Sequence, residues 1–193
     1  GALDIGFYNK KFDKNWSSKI KNEVEKNKPV VFLLGLDDID FSILKDAFVI
    51  YIGHHGDCGA HIADLILPSS AFPEKSSTFV NMEGRVLQTT KCFHPIGESK
   101  DEWKIFRALS NEINQNLKFD NLQELRNEII NNFEILKELN ILPNLNSFEM
   151  KSPKDLMSKN IEFNINNFYM TDSISRASET MAKCTKEILN KIA

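Results

Sequence analysis

Three short apolar runs constrain the fold of this chain more than any other feature of its sequence. They span residues 30–35, 48–53 and 63–68, and all three are rich in branched and aromatic side chains. Because none alternates apolar with polar residues, the runs are typical of strands buried on both faces of a helix-covered parallel sheet. The gaps at 39–46 and 57–63 can each hold a small helix. The order β-α-β-α-β predicts an open, mainly parallel α/β sheet with covering helices and right-handed crossovers.

Composition and charge exclude several classes of protein. The chain has 193 residues, enough for one domain with an appendage, and its net charge of −3 offers no basic surface for nucleic acid. It has no apolar run long enough to span a bilayer and no signal-peptide pattern, so we expect membrane contact only through partners. The three cysteines are far apart, which favours a reduced, intracellular compartment. The first residue is not methionine, so we expect a processed chain or a piece of a longer one.

The loop after the second run, residues 53–61, combines glycines with possible metal ligands. Its glycines recur every third residue, and Gly56 is expected to need a positive φ or close packing at a strand-to-helix turn. The spacing matches neither a dinucleotide-binding fingerprint nor a P-loop. The residues with zinc or iron ligand chemistry are His54, His55, Cys58 and His61. A packed loop with hydrogen-bonded histidines is the favoured interpretation, because four ligands in eight residues would be unusually dense.

A β-hairpin insertion is predicted next, with strands at 78–81 and 86–90 joined by a turn that contains glycine. Glu74, Glu83 and Arg85 could form an acid/base and anion-binding set. Surface turn residues are the favoured interpretation, because no nucleophile is nearby.

Helical spacing predicts three helices outside the sheet connections. The first covers 15–26 and ends before Pro29, with Trp16, Ile20 and Val24 on one face. The second follows a capping box from Ser99 to Glu102. Its apolar stripe is Trp103, Phe106, Leu109, Ile113 and Leu117. The third starts at Asp120, with Gln123 reaching back, and buries Leu122, Leu125, Ile129, Phe133 and Leu136. We expect the last two helices to cover the sheet.

The chain divides into two predicted parts. Residues 1–143 form the α/β domain, and residues 144–193 form an extended arm that ends in one helix. Asp172 or Ser173 caps this helix, which runs to about Ile192. Its apolar stripe must be buried either against its own domain or on another subunit, and both arrangements stay open.

Five motifs, in order, resemble the carboxyl-terminal part of the large iron–sulfur subunit of respiratory complex I, within the molybdopterin oxidoreductase superfamily. They are Gly53-His54-His55-Gly56-Asp57, the segment 63–68, the segment 79–85, Asp101-Glu102-Trp103-Lys104-Ile105 and the segment 168–178. The second and third are shared by the wider superfamily. The double-histidine loop and the F-Y-M-T-D-S-I-S-R-A-S segment are similar to the mitochondrial and alphaproteobacterial branch.

The resemblance implies a non-catalytic scaffold in the peripheral arm of NADH:ubiquinone oxidoreductase. It implies iron–sulfur clusters only in an upstream part of the subunit, so no catalytic, cofactor-binding or metal residue is assigned here, and Cys58, Cys92 and Cys184 match no cluster ligand. The implied partners are the flavin- and iron–sulfur-carrying subunits of the arm. The implied location is the matrix side of the mitochondrial inner membrane or the cytoplasmic side of a bacterial one.

Two other functions compete with the scaffold. A cofactor-binding fragment of a molybdopterin oxidoreductase would cradle phosphate with the backbone of residues 53–59. A small metal-binding module would use His54, His55, Cys58 and His61.

Overall fold

The computed structural model describes residues 1–2, 4–7, 15–143 and 165–189. The chain separates into two compact units. The first contains Gly1–His54 and Cys58–Pro143, and the second contains His55–Asp57 and Asn144–Ala193. Most of the predicted arm, residues 144–164, lies outside the described residues.

A three-stranded parallel sheet forms the centre of the first unit. Its strands are β1 (Val30–Leu34), β2 (Phe48–Gly53) and β3 (Leu65–Pro68), in the spatial order β1-β2-β3. A short 3-10 turn, Phe41–Leu44, and the one-turn helix α2, Cys58–His61, make the two crossovers. The predicted parallel α/β sheet is therefore confirmed, with the three strands at the predicted positions.

One face of this sheet carries the hydrophobic core. The buried residues of this cluster are Val24, Leu33, Ile43, Leu44, Val49 and Tyr51. Val24 comes from helix α1, Trp16–Asn27, which ends where Lys28 adopts a left-handed conformation (φ 44°) ahead of the proline. The predicted stripe on α1 was too wide, because Trp16 and Ile20 remain exposed and only Val24 enters the core.

The other face of the sheet is uncovered along its two outer strands and at the start of β2 by the residues that the structure describes, whereas Ile50 is half-buried and Ile52 is only 1% exposed. Its side chains Val30, Phe32, Leu34, Phe48 and Leu65 are between 36% and 56% exposed. We call these five residues the open sheet face. Phe106 lies against Phe32, with ring centroids 5.9 Å apart. The expectation that the strands are buried on both faces therefore holds at the end of the central strand, where Tyr51 and Ile52 are both buried, and is wrong for these five residues.

The predicted hairpin is confirmed as β4 (Thr78–Val80) paired antiparallel with β5 (Val86–Gln88). Its turn is organised by Asn81, whose side-chain oxygen accepts hydrogen bonds from the amides of Glu83 (3.0 Å) and Arg85 (2.9 Å). Gly84 has φ 82°, a left-handed conformation that glycine adopts without steric cost.

Helix α3, Glu102–Glu112, begins without the predicted capping box. The Ser99 hydroxyl donates to the carbonyl of Ile96 (2.8 Å), and the Glu102 carboxylate pairs with Lys75. Both polar groups are therefore committed to neighbours outside the helix backbone. Trp103 and Phe106 of the predicted stripe are half-buried, while Ile113 and Leu117 are exposed.

Helix α4, Leu122–Asn132, begins with a capping pair one residue later than predicted. The Asn121 side chain accepts from the amide of Glu124 (2.9 Å), and the Glu124 carboxylate accepts from the amide of Asp120 (2.7 Å). Asn121 competes successfully with Asp120, because both residue types cap helices well. Of the predicted stripe only Leu136, in a following 3-10 turn, is buried.

The described tail of the second unit contains three short helical pieces instead of the single predicted helix. They are α5 (Ser173–Arg176), α6 (Glu179–Cys184) and a π-helical turn, Thr185–Leu189. Ser178 has an extended conformation between α5 and α6, and its side chain accepts from the amide of Met181 (3.4 Å). A serine that caps a new helix interrupts the old one. The predicted end at Ile192 lies outside the described residues.

Candidate functional site

The double-histidine loop follows the carboxyl end of β2, where open α/β sheets usually place ligands. Asp37, in the loop after β1, anchors its far end. One carboxylate oxygen of Asp37 accepts from the hydroxyl of Tyr51 (2.9 Å), and the other accepts from the amide of Gly59 (2.9 Å). Asp37 was not among the residues predicted from the sequence, although a carboxylate shortly after an apolar parallel strand was a readable signal.

The glycines of this loop differ in their packing. A Cβ atom on Gly59 would lie 2.5 Å from the carbonyl oxygen of Leu36 and 2.8 Å from the ring of Tyr51, and a Cβ on Gly53 would also overlap that ring. Gly56 has no heavy atom within 4 Å of its would-be Cβ and no left-handed φ. The expectation that Gly56 needs a positive φ or close packing is therefore wrong. The close packing that requires a glycine is found at Gly53 and Gly59 instead.

Replacing Tyr51 with phenylalanine should lower the free energy of unfolding by about 1–2 kcal/mol, because it removes a hydrogen bond of a buried hydroxyl. Because Tyr51 is only 2% exposed, water cannot fully replace its hydroxyl as a hydrogen-bond donor to Asp37. Urea denaturation measures the change. An unchanged midpoint and slope would show that the Tyr51–Asp37 bond contributes nothing to the loop.

The loop does not assemble a metal site. His54, Cys58 and His61 are exposed and His55 is half-buried. Among the residues described by the structure, no three His, Cys, Asp or Glu side chains are grouped closely enough to hold a metal ion. The geometry therefore gives no support to the metal-binding module, and the donor set does not fit an iron–sulfur cluster, which needs convergent thiolates.

The loop also lacks the features of a phosphate cradle. The amide of Gly59 already donates to Asp37, so a carboxylate of the same chain occupies the position that a phosphate would take. Helix α2 has only four residues, too few to build a helix dipole of useful strength. The residues present therefore do not fit the phosphate of a pterin cofactor.

The acid/base set of Glu74, Glu83 and Arg85 is not assembled. The Glu74 carboxylate accepts from the amide of Ala71 (2.9 Å), which closes a 3-10 turn. Arg85 donates to the carbonyl of Asn140 (3.0 Å), and its nearest contact with Glu83 is 3.8 Å. Glu74 therefore closes a turn, and Arg85 links the hairpin to the segment around Asn140.

An ion pair within the second unit joins the two most specific sequence motifs. The Arg176 guanidinium contacts the Asp57 carboxylate and also the carbonyl of Met170 (3.4 Å). The side chains of Asp57 and Arg176 are 12% and 28% exposed, so the pair is mostly shielded from water. Both motifs were readable in the sequence, but nothing in residue spacing showed that positions 119 apart would meet.

Helix α5 presents Arg176 in this position. Asp172 caps the helix, with one carboxylate oxygen accepting from the amides of Ile174 (2.9 Å) and Ser175 (3.0 Å). The Ser175 hydroxyl accepts in return from the amide of Asp172 (3.1 Å). The bond from the Ser175 amide, followed by the Ser175 side chain and the nearby Arg176 charge, lowers the pKa of Asp172 below 3.8. Of the two predicted caps, Asp172 or Ser173, the structure has Asp172, and it caps the short helix α5.

The Asp172 cap should weaken in acid. Since its folded pKa is depressed, its contribution to stability is complete above the unfolded pKa of 3.8 and is lost as the pH falls through the lower folded value. The amide resonance of Ser175, followed by NMR from pH 6 downward, should shift in that acid window. An Asp172→Asn variant keeps a capping oxygen without a titrating acid, so its Ser175 resonance should stay constant. Equal shifts in both proteins would contradict the assignment.

The described residues contain no helix that is both long enough and apolar enough to cross a membrane.

Comparison with known proteins gives two matches to family descriptions, one in each part of the chain. Residues 1–112 match the molybdopterin oxidoreductase family, and residues 145–184 match the carboxyl-terminal region of the G subunit of NADH-ubiquinone oxidoreductase. The first match covers more than half of the chain, and the second includes Arg176.

Individual relatives are similar over nearly the whole chain. The NADH-ubiquinone oxidoreductase 75 kDa subunit of Reclinomonas americana is 42% identical over 96% of this chain and 27% of its own length. The mitochondrial 78 kDa subunit of Candida albicans is 40% identical over 99% of this chain and 26% of its own length. The G subunit of the NADH-quinone oxidoreductase of Rickettsia conorii is 40% identical, with 96% and 26% covered. The chain thus spans about a quarter of these relatives, and the resemblance inferred from the motifs is confirmed.

Proposed function

The chain belongs to the molybdopterin oxidoreductase family, and on that premise we propose that it is a non-catalytic scaffold part of the large subunit of complex I. It supports electron transfer from NADH to quinone in the peripheral arm without itself holding an electron carrier. The observation that carries this proposal is the 40–42% identity to complex I subunits over 96–99% of the chain.

The chemistry of the chain supports a structural role over a catalytic one. The charged side chains that meet at the loop, Asp57 and Arg176, neutralise each other, and the carboxylate of Asp37 is committed to two donors. Neither the carboxylate of Asp57 nor that of Asp37 is therefore left as a base or a nucleophile for a substrate. The iron–sulfur clusters of the assembly belong, in this proposal, to the part of the subunit that has no counterpart in this chain.

The partners follow from the same proposal. They are the flavin- and iron–sulfur-carrying subunits of the peripheral arm, and the membrane is reached only through them. The location is either the matrix side of the mitochondrial inner membrane or the cytoplasmic side of a bacterial inner membrane. One relative is a mitochondrial protein and another is bacterial, which supports both kinds of membrane without choosing between them; the side of the membrane is part of the proposal alone.

Affinity purification tests the proposal. The tagged chain is recovered from gently solubilised native membranes, the co-purifying proteins are identified by mass spectrometry, and NADH oxidation is assayed in the eluate. We expect flavin- and iron–sulfur subunits together with NADH dehydrogenase activity, and neither from an untagged control. Recovery of the chain alone with a bound pterin or a stoichiometric metal would overturn the scaffold and favour one of the two competing functions.

A further inference from the structure

The open sheet face is an apolar surface without a charged or polar side chain among its five members. Val30 and Leu34 flank Phe32 on alternate positions of β1, Phe48 is the register partner of Val30, and Leu65 is in register with Phe32 through Ile50. Their side chains therefore lie on the same side of the sheet. Ile50 and Ile52 share this side of the sheet, but Ile50 is half-buried and Ile52 is only 1% exposed, so the exposed apolar surface lies on the two outer strands and at the start of β2. Exposed apolar surface of this kind marks an interaction site.

The nature of the strands indicates what type of layer covers this face. Parallel strands with continuous apolar sequence occur almost only in sheets that are covered on both sides. The core face is covered by α1 and the short crossover turns, whereas on the open face the contact of Phe106 with Phe32 accounts for only one of the five side chains. Because Ile52 on this side is already covered, the described residues lack only the part of an apolar layer that would cover these five side chains.

We infer that the open sheet face is the docking surface for the remainder of the large subunit, the part that makes up about three quarters of the relatives and has no counterpart in this chain. This inference rests on the proposed function, because it takes the relatives' longer subunit as the occupant. The length of that remainder supplies far more chain than one sheet layer requires. Docking of that remainder would also bury the apolar strands on both sides, as is usual in a parallel sheet.

Hydroxyl-radical footprinting with mass spectrometry tests this inference. Two proteins are compared: this chain alone, and a chimera in which it replaces the matching quarter of the Reclinomonas americana 75 kDa subunit. Phe48 and Leu34 are about half-exposed in the chain alone, so their burial in the chimera should slow their oxidation several-fold. Phe93 is 67% exposed and lies outside the sheet, so its rate is the internal control and should not change. Equal rates for Phe48 in both proteins would overturn the inference.

A binding measurement in trans guards against a misfolded chimera. The remaining three quarters of the Reclinomonas americana subunit, as a separate tagged polypeptide, should capture this chain in a one-to-one complex. Leu34→Asp combined with Phe48→Asp should abolish capture, whereas Phe93→Asp combined with Ile96→Asp should not, and circular dichroism verifies that both variants fold. Capture of both variants would overturn the inference. A dimer of the isolated chain that dissociates on Leu34→Asp would also overturn it, because the occupant of the face would then be a second copy of this chain.

These outcomes are separable from those of the proposed function. Co-purification with flavin-carrying subunits from membranes, together with an unprotected Phe48, would leave the scaffold role standing and reject the docking surface. Failure of co-purification with a protected Phe48 would reject the role in complex I while retaining a docking surface for a related subunit.

Discussion

Replacing Gly59 with alanine is expected to lower the free energy of unfolding by about 2–4 kcal/mol, because the added Cβ meets atoms that cannot move away. That Cβ would lie 2.5 Å from the backbone carbonyl oxygen of Leu36 and 2.8 Å from the ring of Tyr51. The ring is held in place by its hydrogen bond to Asp37, and Asp37 also binds the amide of Gly59 itself. Thermal unfolding should show a midpoint lower by about 10 °C for a unit of this size.

Gly56→Ala is the matched control for this experiment. Gly56 lies in the same loop, three residues earlier, but nothing surrounds its would-be Cβ within 4 Å. We expect a change within about 0.5 kcal/mol, or a small gain, since alanine restricts the unfolded chain more than glycine does. Similar midpoints for the two variants would show that the tight packing around Gly59 is not the reason for its glycine.

The strands of the sheet were predictable because their cause is local. The apolar runs that became β1 and β2 are dense in branched and aromatic residues, and the intervening segments are too short for anything but small crossovers. The hairpin was predictable for the same reason, since the turn chemistry of Asn81 and Gly84 is written in adjacent residues.

The helix termini were less predictable, because several residues compete for each cap. Ser99 and Glu102 fit a capping box by spacing, but Ile96 and Lys75 offered them better partners from outside the helix. Asn121 took the position expected of Asp120. Tertiary contacts decide which residue caps a helix, and these contacts cannot be read from the spacing of residues in the sequence.

The candidate site shows the same limit over longer distances. Asp37 and Gly59 are 22 residues apart, and the Asp57–Arg176 pair spans 119. The motifs that contain these residues could be named from the sequence, but their contact depends on how the segments between them fold. The open sheet face was also beyond sequence reasoning, since apolar strands indicate burial without indicating which chain segment provides it.

Replacing Arg176 with alanine should release the tail motif from Asp57. The pair is mostly shielded, so the substitution takes the guanidinium away from a carboxylate that is only 12% exposed, at a cost of about 1–3 kcal/mol after allowance for partial solvation. The contact of Arg176 with the carbonyl of Met170 is lost as well. Hydrogen exchange of the α5 amides, residues 173–176, should accelerate about 10- to 100-fold, since each 1.4 kcal/mol corresponds to a factor of ten.

A double-mutant cycle decides whether the ion pair itself causes this effect. Asp57→Ala should accelerate exchange by a similar factor, and the double variant should add little, because each single change already breaks the pair. Arg107→Ala is the control, since it breaks an ion pair with Asp120 in the first unit and should leave the α5 amides unchanged. Additive effects of Asp57→Ala and Arg176→Ala would instead mean that the two side chains stabilise the tail through other neighbours. A coupling of about 1 kcal/mol or more would establish that the loop and tail motifs act as one element.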